Sequence, residues 1–82
     1  MTQEQIKKTI IDQILEIAPD IDENDIIPDK NIQRSLEIDS FDFLKILTAL
    51  NEILGVEVPE RDYAKVDTLE HMTHYFSQNL VQ

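Results

Sequence analysis

Three stretches of the chain repeat apolar side chains at helical spacing, and no stretch alternates long enough to build a sheet. In residues 3–18, Ile6, Ile10, Ile11, Ile14, Leu15 and Ala18 form one apolar stripe. Thr2 is placed to cap this helix, with Gln5 three residues on as a capping box wants, and Pro19 stops it. In residues 40–54, Phe43, Leu44, Ile46, Leu47, Leu50, Ile53 and Leu54 supply a wide apolar face, leaving Asp42, Lys45, Asn51 and Glu52 for solvent. Asp39 is a good N-cap there, Asp42 suits the positive helix end, and Gly55 follows where a left-handed residue closes a helix. In residues 68–80, Leu69, Met72, Tyr75, Phe76 and Leu80 share a face, with Asp67 or Thr68 as cap. Glu60 to Lys65 is read as one or two helical turns with Tyr63 and Val66 pointing inward, after an extended link from Val56 to Pro59. The expected fold is all-α: a small bundle of three longer helices and one short one.

Between the first two helices, residues 19–38 follow no period. Pro19, Asn24, Pro28 and Asn31 interrupt them, while Ile21, Ile26, Ile27, Ile32 and Leu36 recur irregularly among acids. The segment is expected to be a long loop pinned to the core by isoleucines, with a short helical turn near Asp22 to Asp25. Loops of this length inside a small domain are often functional.

Eighty-two residues suffice for one domain, taken as residues 1–82, and 41% hydrophobic residues can fill a modest core. Seventeen carboxylates against seven basic side chains give a formal charge of −10. Such a chain repels phosphates, so no nucleic-acid partner is expected, and basic protein surfaces are favoured. With no cysteine it has neither a disulfide framework nor a thiolate of its own. No apolar run reaches the length of a membrane span, and the first residues lack a signal-peptide pattern, so a cytoplasmic protein is expected. No long apolar edge stands out, and a monomer is expected.

Few side chains are arranged for chemistry. Asp20-x-Asp22-x-Asn24 begins like a calcium loop, but Asp25 stands where that loop needs glycine and Asn31 where it needs a bidentate glutamate. His71 and His74 are three apart without a third ligand, so no metal site is assigned. There is no Gly-x-Ser-x-Gly elbow, and no enzyme is expected. Ser40 is the residue to explain. Alone, Asp39-Ser40 reads as a helix start, since both residue types are favoured there. It also reads as an exposed hydroxyl at a helix end that welcomes an anionic ester.

The surroundings separate the two. Leu36-Glu37-Ile38-Asp39-Ser40-Phe41-Asp42-Phe43-Leu44 resembles the phosphopantetheine attachment motif of acyl carrier proteins, Leu-Gly-x-Asp-Ser-Leu followed by an acid and an amphipathic helix. Leu47 through Pro59 resembles the family's helix end, tight turn and Val-Pro link, and Val66-Asp67-Thr68-Leu69 resembles the lead-in to its last helix. The resemblance implies a four-helix bundle with a long loop between helices 1 and 2. It implies 4′-phosphopantetheine moved from coenzyme A onto Ser40 by a phosphopantetheinyl transferase. It also implies acyl groups carried on the arm's thiol as thioesters for acyl-loading and acyl-processing enzymes of fatty acid, polyketide or related specialised biosynthesis. Asp39, Phe41, Asp42, Lys45 and Glu52 are implied to meet partners with basic docking patches. Phe43, Leu47, Leu50, Val58, Tyr63 and Val66 match positions near the family's acyl pocket, where two bulky rings would restrict a long chain.

The departures from the family pattern are specific. Glu37 replaces the glycine three residues before the serine, Phe41 replaces leucine or methionine, and Lys45 and Asn51 stand where acids are common. They point to a specialised carrier. Phe41 after the serine also resembles D-alanyl carrier proteins, so an aminoacyl carrier is an alternative. An unmodified acidic interaction module is another, and a calcium-binding protein a third.

Overall fold

The structure, a computed structural model, describes residues 1–80. Helix α1 spans Gln3–Ile17 and opens with the expected capping box. The Thr2 hydroxyl accepts from the Gln5 N–H at 3.2 Å, and the Gln5 side chain accepts from the Thr2 N–H at 2.8 Å. Helix α3, Ser40–Leu54, starts on Asp39, whose carboxylate accepts from the Asp42 N–H at 2.8 Å. It ends at Gly55 with φ +71°, a left-handed conformation that favours glycine. Helix α4 spans Leu69–Asn79. Thr68 is its cap, accepting from the His71 N–H at 3.0 Å, while Asp67 meets the His71 ring nitrogen Nδ1 at 2.7 Å.

Before α4, a 3₁₀ helix covers Glu60–Val66. Its N-cap position is Pro59, which provides no side-chain hydrogen bond, so tertiary contacts hold it. Val66 is fully buried and Tyr63 half-buried, as expected. The Tyr75 hydroxyl of α4 donates to the Asp62 carboxylate at 2.8 Å. In the preceding link Val56 and Val58 are buried and Glu57 is exposed, the alternation of an extended segment packed on one side.

The first connection is more ordered than its sequence suggests. A 3₁₀ turn at Glu23–Asp25 forms where a short turn was expected, and the Asp22 carboxylate accepts from the Asn24 N–H at 2.8 Å. A further helix, α2, covers Ile32–Ser35 and was not expected. Four residues are too few to show a period. Asn31 starts α2 by accepting from the Arg34 N–H at 3.0 Å. The connection is stitched to the start of α4: the Ile32 N–H donates to Asp67 O at 2.8 Å, and the Glu70 N–H to Pro28 O at 3.0 Å. Ile26, Ile32 and Ile38 enter the core and Ile21 and Leu36 pack at its margin, but Ile27 is exposed.

α1 packs against both α3 and α4. Ile6, Ile10 and Ile14 meet Ile46, Leu50, Met72 and Phe76 in one apolar cluster. Each fully buried side chain of this size contributes roughly 1.5–3 kcal/mol of burial free energy. The apolar face of α3 is narrower than its composition implies. Phe43, Ile46, Leu47, Leu50 and Leu54 are buried, whereas Leu44 and Ile53 are 41% and 52% exposed. Seven apolar residues span more of the helix circumference than one packed side covers, so those at the flanks remain outside.

Candidate phosphopantetheine site

Ser40 is the first residue of α3, and its side chain is exposed. It lies at the junction of α2 and α3, and the backbone between them explains its placement. After α2, Leu36 caps and Glu37 turns left-handed with φ +55°. The Ile38 N–H then reaches back to Gln33 O at 3.0 Å, and Ile38 buries its side chain. This six-to-one closure is the Schellman ending of a helix, with Glu37 where glycine is usual. It reverses the chain within three residues and leaves Asp39 extended for its cap.

Among the described residues, the one side chain that hydrogen-bonds the Ser40 hydroxyl is Gln33, whose amide donates to it at 3.5 Å. That is the long limit for such a bond, so the hydroxyl is lightly held. The first-turn N–H groups of α3 give its N-terminus a positive end suited to an anionic ester. Glu37, Asp39 and Asp42 flank the site. Asp42 also borders a surface groove with Asp20, Glu37 and the C-terminal end of α1. An exposed, weakly held hydroxyl at a helix N-terminus, ringed by carboxylates, fits covalent phosphopantetheine. Among the described residues its hydrogen-bond partner is an amide, Gln33, and not a general base.

Residues 8–76 match the phosphopantetheine attachment site family. The chain belongs to the acyl carrier proteins. It is 34% identical over 79 residues to the acyl carrier protein of Lactobacillus johnsonii, covering 96% of this chain and 98% of that one. It is 31% identical over 72 residues to that of Rubrobacter xylanophilus, covering 84% and 89% of the two chains. With that of Helicobacter hepaticus it shares 26% identity over 78 residues, covering 95% and 96%. An acyl carrier protein is a carrier and not an enzyme, and its prosthetic group is covalent phosphopantetheine. The family works with phosphopantetheinyl transferases and acyl-handling enzymes.

The residues expected from sequence to meet partners lie on this carrier's surface around Ser40 and along α3. Phe41, Lys45 and Glu52 line one shallow groove with Leu44, Thr48 and Ala49. Asp39 and Asp42 stand at its upper end as cap and first-turn acid. Lys45 Nζ lies 4.7 Å from the centre of the Phe41 ring and 3.8 Å from the Asp42 carboxylate. The six pocket candidates face the other way. Phe43, Leu47, Leu50, Val58 and Val66 are buried in the core and Tyr63 packs at its edge. Two features escaped sequence reasoning. Gln33 lies seven residues before Ser40, and only the turn at Glu37 brings them together. Leu44 and Ile53 look like core residues by spacing alone. The acids of the supposed calcium loop serve the backbone: Asp22 and Asp25 bind each other's turn. Among the described residues no group of three side chains is placed to hold a metal ion, and no helix is long and apolar enough to cross a membrane.

Proposed function

We propose that Ser40 is the attachment point of 4′-phosphopantetheine and that residues 1–82 act as a single carrier domain. The observation that carries this is the exposed hydroxyl at the start of α3, behind the Asp39 cap, inside the matched family region. The Ser40 oxygen forms the phosphodiester bond as the pyrophosphate link of coenzyme A breaks. The serine proton leaves to a base of the transferase, and the nucleotide half of coenzyme A departs. Once attached, the group supplies the thiol that holds an acyl chain as a thioester, which a chain without cysteine lacks. Asp39 and Asp42 hold the helix start in place and offer carboxylates to basic partners, while Phe41, Lys45 and Glu52 extend the contact along α3. Phe43, Leu47, Leu50, Val58, Tyr63 and Val66 would have to part to admit an acyl chain between the helices. The bulk of Phe43 in the core and of Tyr63 at its edge favours short cargo.

The setting that agrees best is a cytoplasmic pathway of fatty acid, polyketide or related specialised biosynthesis. Incubation with coenzyme A and a broad-specificity phosphopantetheinyl transferase, followed by intact mass, tests the assignment. Wild type should gain one phosphopantetheinyl group and Ser40→Ala none. Equal modification of the variant would refute Ser40 as the attachment point. No modification of folded wild type by two unrelated transferases would favour an unmodified acidic module.

A further inference from the structure

The charge of this carrier is distributed unevenly. The first connection carries Asp20, Asp22, Glu23, Asp25, Asp29 and Glu37 against Lys30 and Arg34, all exposed. The exposed side of α3 is close to neutral, with Lys45 as its one basic residue against Asp42 and Glu52. That side is also apolar. Phe41 is 67% exposed, and Leu44 and Ile53 join it outside the core. Phe41 and Leu44, one turn apart and lining one groove with Lys45, form an unpartnered apolar patch close to Ser40 on an otherwise highly charged molecule, while Ile53 lies on the opposite flank of α3. Lys45 lies over the Phe41 ring and pairs with Asp42 at 3.8 Å, its one ion-pair partner among the described residues. Burying the ring in a partner therefore carries the ammonium into the same contact. Desolvating that ammonium is costly unless a counter-charge meets it, and Asp42 alone, on the edge of the face, is a loose partner.

We infer that the α3 face docks partner enzymes offering an apolar pocket for Phe41 and a carboxylate for Lys45, so that Lys45 selects against partners with a basic residue there. This rests on Ser40 as the attachment point, because Phe41 is its neighbour. Basic partner residues then address the acids at the two ends of the face and along the first connection, and Lys45 sets the pattern between them. Charge repulsion at one position is an efficient way to reject a wrong partner.

A phosphopantetheinyl transferase with a basic docking surface is a suitable probe. Loading rates are compared for wild type, Lys45→Glu and Phe41→Ala, against the transferase and a set of its variants with single docking Lys or Arg residues changed to Glu. The expected result has three parts. Lys45→Glu lowers KM for the unaltered transferase several-fold with kcat unchanged. One transferase variant reverses the order, loading wild type better than Lys45→Glu, with a coupling of about tenfold. Phe41→Ala raises KM. If Lys45→Glu loads like wild type with every transferase, the docking inference is wrong, while normal wild-type loading keeps Ser40 as the site. If wild type is not loaded at all, the Ser40 assignment falls and takes this inference with it. A concentration-dependent dimer that Lys45→Glu dissolves would mean that a second copy covers this face, which also overturns the inference.

Discussion

Glu37 stands where the family motif has glycine, in a backbone conformation that favours glycine. The position three residues before Ser40 is glycine in the family motif, and a left-handed residue ends α2 there. Glutamate takes up this left-handed conformation, φ +55°, at a steric cost of roughly 1–2 kcal/mol that glycine would not incur. Part of that difference returns through the larger entropy of an unfolded glycine. Glu37→Gly should therefore stabilise the protein by about 1 kcal/mol. Urea unfolding with an unchanged m-value would show it as a shift in midpoint. The substitution at Glu37 was visible in the sequence; its left-handed geometry was not, because a dihedral angle follows from the closure between Gln33 and Ile38. Ser40 itself was legible because the motif around it is local. Its contact with Gln33 was not, because a turn of the chain creates it.

At the scale of elements, the long helices were legible and the short ones only in part. α1, α3 and α4 each repeat their apolar residues over three turns or more, so one period locates them. α2 is a single turn fixed by Asn31 and by the stitches to α4, neither of which leaves a periodic trace. Spacing also failed to separate the buried side of α3 from its exposed flank, because apolar residues serve both. The 3₁₀ helix at Glu60–Val66 depends on Val66 and on the bond between Asp62 and Tyr75. The Tyr75 hydroxyl, followed by the charge of Lys65, holds the Asp62 carboxyl below its ordinary range despite partial desolvation. Partial burial, and then the Asp62 carboxylate, push the Tyr75 phenol up. A depressed carboxylate stabilises the fold fully above its ordinary range and loses that contribution as pH falls to its lower folded value. The raised phenol acts in the opposite sense, and its contribution is lost as pH rises through the phenol range. Tyr75→Phe should therefore flatten the acid limb of stability against pH, and should speed amide exchange within residues 60–66 before the rest of the molecule. An acid limb identical to that of wild type would show that the bond does not hold the segment.

Across the whole molecule, the net charge of −10 sets the background for every contact. Six exposed acids crowd the first connection, and one of them, Glu37, flanks Ser40 together with Asp39 and Asp42. Their mutual repulsion favours expansion, and salt screens it over about 10 Å at 0.1 M. Raising ionic strength from about 20 mM to about 0.5 M should increase the melting temperature by on the order of 5 °C. A calorimetric scan that showed no rise would mean that the acids are already neutralised within the fold. The charge total was plain from composition. The run of acids in residues 19–38 was equally plain; the nearly neutral exposed side of α3 beside Ser40 emerged only once the elements were placed in space.

The central claim is that one hydroxyl of this chain carries the working arm. The most direct measurement is peptide mapping by tandem mass spectrometry of the protein after transferase treatment. Serines 35, 40 and 77 are the candidate hydroxyls of that type. Ser35 is exposed at the end of α2, and Ser77 is half-buried on α4. The account predicts a single phosphopantetheinyl group, confined to the peptide containing Ser40 and fragmenting at that residue. The group on Ser35, on Ser77 or spread over several residues would contradict it.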